Sequence, residues 1–214
     1  MAAIAPCVTA TDAHAYREQM ARIAPFAKRV HVDFSDGEFS PVKLVNPIQA
    51  YWPEGMAVDL HLMMRDPLAH LETVISLSPQ MVILHAESEG NLTSALLQLR
   101  ALGVKTGVAL LQQTAPETAR QLIGEADHVL IFSGDLGHFG GQADLDLLRK
   151  VAQIRAINPI AEIGWDGGVN LDNAARLVLG GVEVLNVGGG IQRAEDPQAT
   201  YDQLVDAAKK ALQA

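Results

Sequence analysis

The chain has 214 residues, of which 49% are hydrophobic and 19% charged, so we expect a single domain over residues 1–214 with a substantial core. Its formal net charge is −9 and it contains no basic run, which argues against nucleic acid and anionic membrane surfaces as partners. The single cysteine, Cys7, excludes an internal disulfide and a cysteine-based zinc site, and the lack of a signal peptide or a bilayer-length apolar stretch predicts a cytoplasmic protein.

Short apolar runs and longer amphipathic stretches alternate along the whole chain. The runs predict eight strands, at Ile4–Val8, Val30–Asp33, Val58–Met63, Val82–His85, Thr106–Leu110, His128–Phe132, Ile160–Gly164 and Val184–Val187. Apolar residues at helical spacing predict helices at Ala13–Ile23, Leu92–Leu102, Leu145–Asn158, Leu171–Leu179 and Pro197–Leu212, with a short helix at Pro47–Trp52. Strands that alternate with helices indicate a parallel sheet with right-handed crossovers.

The positions of the glycines favour one arrangement of that sheet. A doubly wound open sheet would have a glycine-rich turn after its first strand, whereas residues 6–12 contain no glycine. Glycines instead follow the sixth, seventh and eighth predicted strands, as in a barrel whose phosphate site lies in its last loops. We therefore predict an α/β protein with the (β/α)8 fold, a TIM barrel.

Two neighbouring strands carry ligand-type side chains that should face the barrel interior. His31 and Asp33 lie two apart on the second strand and so share a face, and His61 lies near the end of the third. Burying such groups is costly unless they are paired or bound to a metal, and imidazole with carboxylate suits zinc or ferrous iron. We predict one divalent metal ion here; for the second strand alone, a His–Asp pair that caps a loop is the alternative. Asp59, one layer deeper, is interpreted as a structural hydrogen-bonding residue.

The seventh strand is followed by an aspartate and a pair of glycines. This strand faces the second across the mouth of a barrel, so Asp166 could supply a fourth ligand and a second carboxylate; a helix N-cap or a turn is its alternative role. Backbone amides in glycine-rich loops can bind a phosphate dianion, and we expect them to do so here without a lysine or arginine. The candidates are Gly140, Gly141, Gly167, Gly168, Gly188 and Gly189, with Phe139 in a segment that could close over the ligand.

The chain resembles the ribulose-phosphate 3-epimerase family nearly from end to end. The resemblance rests on the order of its motifs, which are Ile4-Ala-Pro6, His31-Val-Asp33 with Asp36-Gly37, Asp59-Leu-His61-Leu-Met63, His85-Ala-Glu87, Phe139-Gly-Gly-Gln142 and Asp166-Gly-Gly-Val-Asn170. It implies that His31, Asp33, His61 and Asp166 hold a divalent metal. It also implies that Asp33 and Asp166 exchange protons with opposite faces of one carbon, and that the protein forms a homo-oligomer.

The motifs depart from the family pattern at the expected substrate wall. Cys7 stands where the family usually has serine, and Ser35 and Ser133 stand where it usually has methionine, so that Met63 alone remains. These changes predict a pocket that also accepts a ketose longer by one carbon. His138, in the loop expected to cover the substrate, could contact a phosphate or a hydroxyl. Substrate contacts are therefore expected from Cys7, His61, Met63, His138, Phe139, Gly140, Gly141, Gly167, Gly168, Gly188 and Gly189.

The predicted function is metal-dependent epimerisation at C3 of a small phosphorylated sugar, through an enediolate. The default reaction converts D-ribulose 5-phosphate to D-xylulose 5-phosphate, with Asp33 and Asp166 as the catalytic acid and base. An epimerase of a ketohexose 6-phosphate and an inactive barrel that binds a sugar phosphate are the alternatives. A decarboxylase or aldolase of the wider group of phosphate-binding barrels is not favoured, because residues 31–36 lack the lysine of the Asp-x-Lys-x-x-Asp run. His85 and Glu87 are interpreted as a core pair.

Overall fold

The computed structural model describes residues 2–138 and 140–213. Within them, eight parallel strands close into a barrel in which neighbours in sequence are also neighbours in space, so the predicted (β/α)8 barrel is confirmed. The strands are β1 (Ala3–Val8), β2 (Arg29–Ser35), β3 (Ala57–Met63), β4 (Met81–His85), β5 (Lys105–Leu110), β6 (His128–Phe132), β7 (Glu162–Asp166) and β8 (Val184–Val187).

Helices connect the strands and surround the barrel. They are α1 (Ala13–Ile23), α2 (Leu71–Ser76), α3 (Leu92–Ala101), α4 (Arg120–Glu125), α5 (Arg149–Ile157), α6 (Ala174–Leu179), α7 (Gly189–Gln192) and α8 (Pro197–Ala211), with 3-10 turns at Pro47–Gln49, Pro67–His70, Pro116–Ala119 and Leu145–Leu148. The predictions missed α2, α4 and α7, because four to six residues are too few to show a helical period. Among the described residues, no helix has the length and apolar character needed to cross a membrane.

Alternation along the strands divides the interior into two layers. On β2, Val30, Val32 and Phe34 belong to the large core between the barrel and its helices, while His31 and Asp33 point into the barrel. A second, small apolar cluster fills the middle of the barrel and consists of Met81, Ile83, Ala109 and Leu130. Polar side chains therefore occupy both ends of the barrel: the mouth, where the strands have their carboxyl ends, and the floor, where they begin.

β7 begins two residues later than predicted. The side-chain oxygen of Asn158 accepts hydrogen bonds from the backbone N–H groups of Ile160 and Ala161, at 3.3 and 3.2 Å, and forms a turn there. Ile160 is consequently 90% exposed and lies outside the sheet. The shift makes Asp166 the last residue of β7 and carries its side chain to the mouth.

Four charged or polar side chains at the floor form one network, which we call the floor cluster: Arg29, Asp59, His128 and Glu162. Arg29 Nε donates to Asp59 Oδ2 at 2.6 Å, and its two terminal nitrogens donate to the Glu162 carboxylate at 2.9 and 2.8 Å. His128 Nδ1 lies 2.9 Å from Glu162 Oε2. Burial would raise the pKa of Glu162, but the contacts with His128 and Arg29 outweigh it and hold that pKa well below its usual range. The structural role predicted for Asp59 is confirmed.

Candidate active site

The carboxyl ends of β2, β3 and β7 bring together the four predicted ligands, His31, Asp33, His61 and Asp166, which we call the mouth cluster. One ligand atom from each of the four lies within 4.8 Å of the others. His61 Nδ1 is 2.9 Å from Asp33 Oδ1 and 3.8 Å from Asp166 Oδ2. His31 Nε2 is 3.3 Å from Asp33 Oδ1 and 3.6 Å from Asp166 Oδ2. Both imidazoles therefore lie against both carboxylates.

The register of the barrel produces this convergence. Asp33 on β2 is paired with His61 on β3, and Asp166 on β7 is paired with Asn186 on β8. Side chains alternate along a strand, so a slip of one residue would turn each of these groups toward the helices. The cluster thus depends on the strand register and, for the approach of Asp166 to the ligands on β2 and β3, on closure of the barrel.

Two polar residues that the sequence analysis did not single out also contact the mouth cluster. Thr9, just after β1, donates from Oγ1 to Asp33 Oδ2 at 2.5 Å. Asn186 Nδ2 lies 3.1 Å from His31 Nδ1, with both residues buried. A signal for Asn186 was available, since it is the one polar residue of the β8 segment Val-Leu-Asn-Val. Thr9 offered no comparable signal.

His85 forms the predicted pair with Glu87 and also contacts a ligand. His85 Nδ1 lies 3.3 Å from Glu87 Oε2, and its Nε2 lies 2.9 Å from His61 Nε2. Glu87 is held in turn by the backbone N–H of Leu111, which donates to Oε1 at 3.0 Å. Burial lowers the pKa of His85 to about 4, so it is neutral near pH 7. The interpretation as a core pair was therefore incomplete, because His85 also contacts the predicted ligand His61.

The two carboxylates of the mouth cluster have different proton affinities. Burial would raise the pKa of Asp33, but the contacts with His31 and His61 outweigh it and lower that pKa well below its ordinary value. Burial raises the pKa of Asp166 to about 6, with His31 opposing this rise and Asp33 adding to it. Burial alone would lower the pKa of His31, yet the neighbouring carboxylates raise it. A pair of titratable groups with separated pKa values is typical of acid–base sites.

The donor set of the mouth cluster fits a divalent cation. His31 Nε2 is buried, and no group of the described residues makes a hydrogen bond with it. It lies beside both carboxylates, where an ion would satisfy it. Two imidazole nitrogens and two carboxylates suit zinc or ferrous iron. In the described part of the chain, no lysine or arginine pairs with Asp33 or Asp166. An ion would therefore also offset the negative charge of these two carboxylates.

A cavity of about 260 Å³ opens above the cluster. Of the predicted contact residues, it is lined by Cys7, Met63, His138, Gly140, Gly141, Gly167, Gly168, Gly188 and Gly189, together with both catalytic candidates, Asp33 and Asp166. His61 is fully buried behind this lining. Phe139 lies outside the described residues. Among the described lining residues Arg193 carries the one permanent positive charge, although a phosphate site without lysine or arginine was expected.

Gly167 and Gly168 are required by the packing of the loops themselves. A Cβ atom on Gly167 would lie 2.1 Å from the backbone nitrogen of Gly134, and one on Gly168 would lie 2.2 Å from that of Ala143. Both glycines also have positive φ angles, of 109° and 69°. The loop after β7 thus sits directly on the loop after β6, and any other residue would separate them. Gly140 also has a positive φ, of 104°, but a Cβ there would meet open space.

Two of the departures from the family pattern do not reach the cavity. Ser35 and Ser133 are buried and are not among the lining residues. Ser133 Oγ accepts from the backbone N–H of Asp144 at 2.8 Å, and Ser35 Oγ accepts from that of Gly37 at 3.2 Å. These serines therefore add no polar contact to the lining of the cavity. Cys7 does line the cavity, and burial, with the charges of the two aspartates, raises the pKa of its thiol well above the ordinary value.

Comparison with known structures defines the fold group. The chain resembles 3-hexulose-6-phosphate synthase from Salmonella typhimurium with a TM-score of 0.74 and 14% identity, covering 99% of this chain and 100% of that one. It resembles KGPDC from Streptococcus mutans with a TM-score of 0.73 and 10% identity, covering 99% of each chain. At these identities the similarity concerns the fold alone.

Comparison with sequences is more specific. Residues 3–192 match the model of the ribulose-phosphate 3 epimerase family. The chain is 31% identical over 183 residues to ribulose-phosphate 3-epimerase of Helicobacter pylori, covering 82% of this chain and 84% of that protein. It is 30% identical over 215 residues to that of Aquifex aeolicus, covering 95% and 96%. With the family motifs gathered at one end of a closed barrel, the chain belongs to the ribulose-phosphate 3-epimerase family, whose members are isomerases acting on carbohydrates.

Proposed function

We propose that this protein epimerises C3 of a ketose phosphate, with D-ribulose 5-phosphate and D-xylulose 5-phosphate as the default pair. The observation that carries the proposal is the approach of two carboxylates to one point, from β2 and β7, beneath a cavity edged by glycine loops. An epimerase needs an acid and a base on opposite sides of one carbon, and two aspartates can exchange these roles. Membership of the family supports a sugar phosphate as the substrate.

The mouth cluster would hold one divalent ion, zinc or ferrous iron, which when bound supplies Lewis-acid stabilisation of the negative charge that develops on the substrate oxygens. One aspartate, Asp33 or Asp166, removes the C3 proton. The other aspartate delivers a proton to the opposite face of the same carbon, so the configuration inverts with no net change in composition. Thr9 holds Asp33 in place through its 2.5 Å hydrogen bond.

The phosphate group would lie among the glycine loops. Gly140, Gly141, Gly188 and Gly189 line the cavity without side chains, which permits close approach of backbone amides to an anion. Arg193 lines the same cavity and adds a positive charge. Because Asp33, Asp135 and Asp166 also line it, a dianionic substrate needs this local compensation.

A ketohexose 6-phosphate is the second candidate substrate. A further hollow lies on the other side of Phe132 and is lined by Leu111 and Gln112, while Asp135 and His138 line both this hollow and the main cavity. That hollow offers space for one more carbon, independently of Ser35 and Ser133. Completeness of the mouth cluster favours an active enzyme over a barrel that merely binds sugar phosphates.

Solvent deuterium exchange at C3 tests the proposal. Purified protein is incubated in deuterated water with D-ribulose 5-phosphate, D-xylulose 5-phosphate and a ketohexose 6-phosphate, and the metal content of the same sample is measured. We expect deuterium at C3 and interconversion of at least one epimer pair, with loss of both after chelation and recovery after zinc or ferrous iron is restored. Binding of the sugars without exchange at C3, in metal-loaded protein, would support the inactive barrel instead.

A further inference from the structure

Two buried polar atoms at the mouth lack hydrogen-bond partners, and they belong to residues in contact. His31 Nε2 and Asn186 Oδ1 are both buried and unpartnered among the described residues. The two residues contact each other through their other polar atoms, with the amide nitrogen Nδ2 of Asn186 3.1 Å from His31 Nδ1. Native structures rarely leave two such atoms in adjacent residues. The arrangement points to a second state in which both are satisfied.

The proton on the His31 ring connects these two atoms. With the amide nitrogen of Asn186 donating to Nδ1, a neutral imidazole carries its proton on Nε2. That proton occupies the position from which Nε2 would bind an ion beside Asp33 and Asp166. If the amide turns over, Oδ1 takes the place of Nδ2 and accepts a proton from Nδ1. The lone pair of Nε2 is then free for a metal, and Oδ1 gains a donor, while Nδ2 takes the position that Oδ1 has left.

We propose that Asn186 is a positioning residue that accepts a hydrogen bond from His31 Nδ1–H through Oδ1 in the metal-loaded protein, and so fixes the tautomer that binds the ion through Nε2. This inference rests on the proposed metal site and adds to it a residue outside the ligand set. Partners of this kind set ring orientation and ligand basicity, and their loss typically costs about 10–100-fold in metal affinity.

The other predicted histidine ligand, His61, is held by contacts with a second histidine and a glutamate. His61 Nε2 contacts His85 Nε2 at 2.9 Å, and His85 Nδ1 contacts Glu87 Oε2 at 3.3 Å. This series of contacts ends at the Glu87 carboxylate, which can only accept, so His85 donates from Nδ1. His85 Nε2 then accepts a hydrogen bond from a proton on His61 Nε2. His61 Nδ1 faces the mouth cluster without any rearrangement, at 2.9 Å from Asp33 Oδ1. For His31, Asn186 is the residue in contact with Nδ1, at 3.1 Å.

Zinc affinity of two variants tests the proposal. Asn186→Leu removes the acceptor, whereas Asn186→Asp keeps an oxygen atom at the same distance from the backbone. Metal-stripped proteins are titrated with zinc against a competing chelator. We expect the leucine variant to bind zinc about 10–100-fold more weakly than wild type, and the aspartate variant to bind it at least as tightly. Asn158→Leu, at a buried asparagine that bonds backbone carbonyls of Ile123 and Ala126, should lower the melting temperature and leave zinc affinity unchanged.

Nitrogen-15 NMR of the histidines gives a readout that a purely structural role would not move. Zinc-loaded wild type should show His31 protonated on Nδ1 and bound through Nε2, and the aspartate variant should keep this signature. Equal zinc affinity in wild type and the leucine variant, or a wild-type signal with the proton on Nε2, overturns the role of Asn186 while the metal site stands. Failure of wild type to bind zinc or ferrous iron overturns the proposed function as well. Should the leucine variant not fold, the NMR signature of wild type and the aspartate variant decides.

Discussion

The two ends of the barrel each hold a group of histidine and carboxylate side chains, but the two groups differ in how their charge is balanced. In the floor cluster, Arg29 is a permanent cation bonded to both Asp59 and Glu162. In the mouth cluster, the described residues place no arginine or lysine against the carboxylates, and two histidines are their partners. The floor therefore carries its own counter-charge, whereas the mouth needs protons or an external cation.

This difference separates a structural cluster from a candidate site. A guanidinium held by two carboxylates has few alternative states, because its pKa never brings it near neutrality. At the mouth, burial raises the pKa of Asp166 to about 6 while that of Asp33 is lowered. The mouth cluster also faces a cavity, through Asp33 and Asp166. Similar residue types thus stabilise the fold at one end and remain available for chemistry at the other.

The largest difference between the two ends should appear in turnover. Asp33→Asn and Asp166→Asn are each expected to lower kcat for epimerisation by about 10²–10⁴-fold, because one proton-transfer group is lost. Asp59→Asn at the floor should keep kcat per folded molecule and instead cost about 3 kcal/mol of stability, since it leaves Arg29 short of a buried partner. Steady-state kinetics, metal content and denaturant unfolding measure these effects. Near wild-type turnover of a metal-loaded Asp33 or Asp166 variant contradicts the assignment.

The second-largest difference between the mouth and the floor of the barrel should appear in metal binding. His61→Ala removes one ligand of the mouth cluster, and we expect zinc affinity to fall about a hundredfold or more. His128→Gln, at the floor histidine bonded to Glu162, should keep zinc affinity within measurement error. Competition titration of metal-stripped proteins makes the comparison. Equal losses in both variants would mean that the mouth is not the metal site.

A smaller effect is expected from the cation that lines the cavity. Arg193→Gln should raise KM for a ketose phosphate about tenfold and leave kcat nearly unchanged, because one charged contact of about 1.4 kcal/mol is lost equally in ground and transition states. Arg65→Gln is the matched control, since Arg65 pairs with Glu38 away from the lining residues. If KM is unchanged in the Arg193 variant, the glycine loops bind the phosphate without it.

The smallest effect concerns the way in which the folding stability of the metal-stripped protein varies with pH. The pKa of Asp166 is raised to about 6 from an ordinary value of 3.8, so its stabilising contribution is present below pH 3.8 and is lost as the pH rises through about 6. His85, whose pKa is lowered to about 4, contributes with the opposite sign over an overlapping range. The informative quantity is therefore the difference between wild type and Asp166→Asn, which keeps a neutral side chain.

We expect the stability of wild type relative to Asp166→Asn to fall between about pH 4 and pH 7, by at most about 3 kcal/mol. Thermal melts of both chelated proteins across this range measure it. Glu162→Gln at the floor should lower stability by an amount that stays constant over this range and shrinks only below about pH 4.5, because the pKa of Glu162 is held well below its usual range. A difference between wild type and Asp166→Asn that does not vary with pH contradicts a raised pKa for Asp166.

Much of this protein was predictable from local patterns along the chain. Alternation on β2 and β3 placed His31, Asp33 and His61 inside the barrel, and glycine positions favoured a barrel over an open sheet. The first inference uses residues close in sequence on each strand, whose relative direction follows from the strand period alone. The order of the motifs then indicated the family. The ligand set was recognisable because these side chains are rarely buried without a partner.

Tertiary structure alone decided which residues support that set. Asn186 contacts His31 across 155 positions of sequence, and Arg29 contacts Glu162 across 133. No local period relates residues so far apart, because their distance is set by barrel closure and strand register. The strand period also does not separate the inward-facing Ser35 from residues that line the cavity, because loops after other strands shape that cavity. Its hydroxyl accepts a hydrogen bond from the backbone of its own loop, at Gly37, and that bond exists only in the folded chain.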